Sequence, residues 1–191
     1  MRRPGPQPIV RRRPSPVREQ RRRTRRWLAA TVAGLALVGL LAALDHAGRP
    51  APRLIWNPSA SAPVGLWRVH PGAAVTVGDM VLARMPETVR QLAAERRYLP
   101  GNVPLLKRVA AVRGDHVCAL GETLAVNGRA VARRRAADAQ ARPLPWWRGC
   151  RALRDGEYLL LMDAPDSFDG RYFGPVEAAA IIGRATPLWV R

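Results

Sequence analysis

Leu105-Leu106-Lys107-Arg108-Val109 contains the only lysine in 191 residues; the other 31 basic residues are arginines. A chain this rich in Arg, Ala, Gly and Pro reads as the product of a GC-biased coding sequence, in which lysine drifts to arginine wherever charge alone is needed. A lysine that survives such drift points to chemistry that arginine cannot perform. Arginine stays charged in any protein setting, whereas a buried lysine can lose its proton and act as a base. The stretch also reads as a strand, Leu105 to Val112, in which alternate residues share a face. Lys107 then points with Leu105, Val109 and Ala111 onto an apolar face, and Arg108 points the other way. The competing reading is one residual lysine in a solvated strand.

Outward from this stretch, the chain from 57 to 191 reads as mainly β. Gly78-Asp79 turns into a strand at Met80-Val81-Leu82-Ala83. Leu120-Gly121 to Val126, Asn127-Gly128 and Arg129 to Ala132 make a hairpin, with Asn-Gly supplying the two left-handed turn residues. Glu157 to Met162 is a buried strand and Ile181 to Ala185 another. Thr88 to Arg97 carries a helical pattern, Val176 to Ala180 suggests one helical turn, and Arg133 to Arg151 reads as an exposed, arginine-rich loop or short excursion.

The net charge of +18 is uneven. Residues 1–26 hold eleven arginines against the single acid Glu19, so +10 of it lies in an N-terminal tail that reads as disordered. Trp27 to Leu44 follows, 18 residues without charge, which as a helix would reach roughly 27 Å, close to bilayer thickness. The reading is a transmembrane signal anchor at 27–44 with the tail in the cytoplasm, by the positive-inside rule, and everything beyond Asp45 outside. A cleaved export signal competes, but no small-x-small site stands out between Leu44 and Pro52. Residues 45–56 form a linker. The tail could also bind nucleic acid, yet it has no interleaved aromatics, and contact with an anionic membrane leaflet accounts for it more simply.

A lysine base needs a nucleophile, and beyond the anchor there are three serines: Ser59, Ser61 and Ser167. None of the histidines, His46, His70 and His116, sits in a motif that would make a serine–histidine pair. Cys118 and Cys150 lie in the exported part, where a disulfide is permitted; their spacing fits no metal site, and pairing is left open.

Four stretches in order resemble the boxes of bacterial type I signal peptidases: Ser59-x-Ser61-x-Pro63, Gly78-Asp79-Met80-Val81, Lys107-Arg108-Val109 with Gly114-Asp115, and Ser167-x-Asp169-x-Arg171-Tyr172-Phe173-Gly174. Within them the chain is most similar to TraF-type conjugative transfer peptidases, through Asn57, Pro63-Val64-Gly65-Leu66 and Phe168-Asp169-Gly170-Arg171-Tyr172-Phe173-Gly174-Pro175. The resemblance implies a signal-peptidase-like (LexA-like) β-fold behind one N-terminal span, and the short gap between Val131 and Tyr158 implies that the large accessory domain of some members is absent. It implies Ser61 as nucleophile, Lys107 as general base, and Ser59 with the Ser61 amide as oxyanion hole. Ser167 would hold the lysine amine, and Asp169 and Arg171 would form a structural ion pair. No cofactor and no metal are implied. The partners implied are inner-membrane lipids and a precursor protein, with a pilin precursor of a conjugation apparatus leading and general signal-peptide cleavage as the alternative. Hydrolysis and transfer to a new amine both remain open. An inactive anchored scaffold and a LexA-like self-cleaving regulator are the rivals. The chain departs from the common pattern in lacking Gly-Asp-Asn before Ser167, which leaves the bracing of that loop unexplained.

Overall fold

The computed structural model describes residues 16–47 and 51–191, with side chains at 20–40 and 51–191. Contacts divide the chain at Pro50, and the two parts are taken separately. The first is one helix, α1, Pro16–Ala47. It runs through residues 16–26, placed by composition in a disordered tail: proline suits a first helical turn and arginine is a good helix former. Residues 1–15 of the expected tail lie outside the described residues. Among the described residues no helix is long and apolar enough to cross a membrane. The uncharged run passes beyond residue 40, where side chains are no longer described, so the expected span at 27–44 falls partly outside them.

The second part starts earlier than expected, at Ala51. Its first strand, β1, Leu54–Asn57, takes up the end of the stretch read as linker. It then supplies β2 (Gly65–His70), β3 (Met80–Ala83), α2 (Glu87–Glu95), β4 (Leu105–Ala111), β5 (His116–Leu120), β6 (Thr123–Val126), β7 (Arg129–Arg133), β8 (Gly149–Ala152), β9 (Glu157–Leu161), α3 (Gly170–Phe173), β10 (Val176–Glu177) and β11 (Ile181–Val190). A seven-stranded antiparallel sheet runs β1-β2-β11-β3-β4-β9-β10, and a four-stranded sheet runs β7-β6-β5-β8. Mainly β is therefore correct for this part.

β4 is interior to the larger sheet, with Lys107 opposite Val81 of β3 and Arg108 opposite Leu161 of β9. Lys107, Val109 and Ala111 are buried while Arg108 reaches outward, as the alternation predicts. Leu106, on the opposite face, is buried too, against Ala62, Trp67, Met162 and Ala185. Leu105 packs with Met85 and with Val89 and Ala93 of α2, an i, i+4 pair on one helical face. The strand carrying the lysine is thus covered on both faces.

The Asn127-Gly128 turn has both φ values positive, 50° and 78°, joining β6 to β7 as the dipeptide requires. Three expectations need correction. Val176 to Ala180 is a short strand followed by a 3-10 turn, because Val176 pairs with Tyr158 of β9. The stretch 133–151 is no free loop: it ends in β8, Arg134 is buried, and Cys150 of β8 is disulfide-bonded to its cross-strand neighbour Cys118 of β5. Ile181 to Ala185 is half of a longer strand that continues to Val190.

Candidate active site

The serine loop follows β1 directly. Asn57, the last residue of that strand, is buried and turns its amide into the loop: Nδ2 donates to the carbonyls of Ser59 at 3.0 Å, Ala62 at 3.1 Å and Pro63 at 3.1 Å. Its Oδ1 accepts from the Ser59 amide at 3.1 Å. Trp67 of β2 adds an indole bond to the Pro63 carbonyl at 3.2 Å. One neutral side chain thereby satisfies the polar main chain of a turn that no strand ladder reaches. On this turn Ser59 Oγ lies 2.9 Å from Ser61 Oγ and accepts from the Ser61 amide at 3.2 Å.

Lys107 comes to the same place from β4. Its Nζ is 3.2 Å from Ser61 Oγ and 2.9 Å from Ser167 Oγ. Both lysine and Ser167 are buried. Burial is the main reason the amine is lowered from 10.5 to about 8; the nearby Arg171 lowers it further, against the pull of the Asp169 and Asp166 carboxylates. The site therefore holds an amine that is uncharged in a useful fraction at mildly alkaline pH, within hydrogen-bond reach of a hydroxyl.

The Ser167 side is braced by charge. Asp169 is wholly buried; its Oδ2 accepts from the Met162 amide at 3.0 Å and its Oδ1 from the Arg171 amide at 3.1 Å, capping α3. Arg171 Nε lies 3.1 Å from Asp169 Oδ1, and its Nη2 donates to the Met162 carbonyl. The pair therefore grips both main-chain groups of Met162 at the end of β9. This is the bracing the sequence left unexplained. Burial pushes the Asp169 carboxyl up, against the Arg171 guanidinium and the hydrogen bonds it accepts. Gly170 between them is required by space: a Cβ there would stand 2.7 Å from the Leu160 carbonyl oxygen.

A cleft of about 480 Å³ opens over Ser61, Lys107 and Ser167. Its other wall comes from Tyr98 and Leu99 after α2 and from Arg135 to Leu144. Sequence reading missed this wall, although its residues are fixed: Tyr98 hydroxyl and Arg142 Nε both donate to Asp138, the latter at 2.7 Å. The signal available was Trp146-Trp147, too apolar for a free loop; the Trp147 indole bonds the Gly170 carbonyl at 2.9 Å.

All six residues selected from the sequence, Ser59, Ser61, Lys107, Ser167, Asp169 and Arg171, come together. His70 bonds Thr186 and His116 lies near Cys118, and neither lines the cleft. His46 lies outside the residues with described side chains. The family described as signal peptidase, peptidase S26, matches residues 24–190. The chain belongs to this family. Among its relatives, the plasmid transfer protein TraF of Escherichia coli is 37% identical over 144 residues, covering 69% of this chain and 80% of the relative. A probable conjugal transfer protein TraF of Sinorhizobium fredii is 37% identical over 143 residues, covering 68% of this chain and 73% of the relative. The chain is thus a TraF-type S26 member. A crystal structure of a signal peptidase I from Enterococcus faecalis matches 60% of this chain and 98% of its own at 21% identity, with a TM-score of 0.36.

Proposed function

We propose that this protein is a membrane-anchored serine endopeptidase with a Ser61/Lys107 dyad that processes exported precursors, foremost a pilin precursor of a conjugation apparatus. The observation that carries the reading is the buried amine of Lys107, lowered to about 8, at 3.2 Å from Ser61 Oγ. In its neutral form Nζ takes the Ser61 proton as Oγ attacks a peptide carbonyl. The tetrahedral oxyanion would be met by the Ser61 amide and the Ser59 hydroxyl, which turn from each other to the substrate. The ammonium then gives its proton to the leaving amine, and water or another amine releases the acyl group. Ser167, through its 2.9 Å bond, keeps Nζ aimed at Ser61.

The substrate reading is supported by the conjugal-transfer names of the TraF relatives. Membrane attachment is supported by the uncharged run Trp27–Leu44 behind eleven arginines, which would place the tail in the bacterial cytoplasm and the cleft in the periplasm. An exposed apolar patch adds to it: Leu54 and Trp56 on β1 and Leu188 and Trp189 on β11, with the two indoles stacked at 5.8 Å. Tryptophan suits the membrane–water boundary, and β1 leads straight into the serine loop.

The test is processing of a co-expressed pilin precursor by Ser61→Ala, Lys107→Arg and parent proteins. The reading expects a mature product from the parent alone. Unchanged processing by Ser61→Ala would make the protein a scaffold for another peptidase.

A further inference from the structure

Four charged side chains line the cleft: Lys107, Arg135, Asp138 and Asp166. Lys107 is taken up by the serines. Asp138 is spent within the wall, because it accepts from the Tyr98 hydroxyl, from Arg142 through both amide and Nε, and from the Gln140 amide. Burial works against its charge, yet those hydrogen bonds hold its carboxyl well below the usual range, so it stays an anion committed to the wall. Asp166 acts on the lysine, whose amine it pulls towards the charged form.

Arg135 differs from all three. Its main chain is pinned from both sides: its amide donates to the Tyr172 hydroxyl at 3.2 Å, and its carbonyl accepts from the Trp146 indole at 3.0 Å. Its neighbour Arg134 is buried and bonds the carbonyls of Gly121 at 2.8 Å and Trp147 at 2.6 Å. Yet the Arg135 side chain is exposed and, among the described residues, makes no hydrogen bond or ion pair. A fixed backbone thus holds out an unspent guanidinium over the cleft. Such a group presents paired N–H donors in a plane that matches a carboxylate.

We propose that Arg135 is a specificity-determining residue that pairs with a carboxylate of the bound substrate, at a set distance from the scissile bond. The inference rests on the endopeptidase reading above and deepens it. The carboxylate can be that of an Asp or Glu side chain or a free C-terminus, and the fork geometry serves each alike. An ion pair at the edge of a cleft is partly screened, so the expected preference is about fivefold rather than absolute.

The test profiles cleavage of a digest-derived peptide library by the full chain in detergent, read by mass spectrometry, with the library supplied both with free and with amidated C-termini. Carboxylate-bearing peptides should be cut about fivefold faster than their amide counterparts at one position relative to the cut. The bias should vanish in Arg135→Gln, persist in part in Arg135→Lys, and turn towards Lys and Arg in Arg135→Glu. A misfolded variant could not produce that reversal. Loss of the bias on amidation identifies a terminal carboxylate, and its survival identifies a side chain. Cutting without carboxylate bias, or a bias unmoved by Arg135→Gln, overturns the inference and leaves the peptidase reading intact. If the parent cuts no peptide at all, both fall.

Discussion

The amine of Lys107 is held between two hydroxyls that the protein seats in opposite ways. On one side Ser167 is buried behind Asp169 and Arg171, a charged pair closed off from solvent. On the other, Ser61 is half-buried on a turn held by the neutral amide of Asn57. The difference follows from what each side must do. A buried ion pair is costly to disturb, so it suits a support that never meets substrate. Hydrogen bonds from a neutral amide leave no charge near Ser61 to compete with the lysine, and they leave the serine loop open to the cleft. The amine is thus aimed from its rigid side and delivered to its open side.

The largest effect should come from removing the group that the two sides share. Lys107→Met keeps the volume and the burial and deletes the base, so cleavage should fall by about 10²- to 10⁴-fold. Thermal unfolding should show the fold intact, because the methionine enters a site flanked by Val81 and Val109. A Lys107→Met protein that cleaves as well as the parent would dissolve the comparison altogether.

Next is the charged side. Asp169→Asn leaves Arg171 buried, its guanidinium facing a neutral amide and its partner bond to Met162 unsupported. The expected loss is about 3–5 kcal/mol of unfolding free energy, measurable by urea titration. A loss under about 1 kcal/mol, the range of an exposed pair, would show that this side is no more rigid than the other.

The lysine itself ties stability to pH. Its amine sits at about 8 in the fold and at 10.5 without burial. Between those values the unfolded chain holds a proton that the folded chain has released, so stability rises with pH through that window. The gain, about 3 kcal/mol, is complete above 10.5, shrinks as pH falls through that window and is gone below 8. The difference between parent and Lys107→Met should carry this slope. Cleavage should fall about tenfold per pH unit below 8 as the base is protonated. A flat difference in stability would mean that the amine is charged and solvated, leaving Ser61 without its base.

The sequence showed the lysine and its partners more clearly than the surroundings that make them work. A lone lysine on an alternating strand, two serines two residues apart and a Ser-x-Asp-x-Arg run are local patterns, and all came together. Residue types alone did not show that Asp169 and Arg171 would both grip Met162, since that contact depends on the chain doubling back from β9 into α3. The wall at 135–144 was misread for a related reason. Its arginines and prolines have loop composition, but Arg134, Asp138 and Trp147 spend their polar groups on main-chain and side-chain partners far off in sequence. β1 was also missed, because Leu54 and Trp56 are exposed and the strand lacks the apolar alternation that marks a half-buried one.

The smallest effect expected is on the neutral side, and it is the one that most sharpens the contrast. Asn57→Ala removes the acceptor of the Ser59 amide and the donor to three carbonyls. Several of these groups lie near the surface and can turn to water, so the stability loss should be about 1–3 kcal/mol, below that of Asp169→Asn. Cleavage should fall further than stability does. The turn sets the 2.9 Å spacing of the Ser59 and Ser61 hydroxyls, and a small shift there spoils both the oxyanion donors and the contact with Lys107. Asn57→Asp separates the two contributions: its carboxylate keeps the acceptor and loses the donor, while placing a charge beneath the serine loop. If the turn's role is neutral bracing, Asn57→Asp should be at least as damaging to cleavage as Asn57→Ala. Cleavage restored by the aspartate would show that one bond, from the Ser59 amide, holds the nucleophile in place.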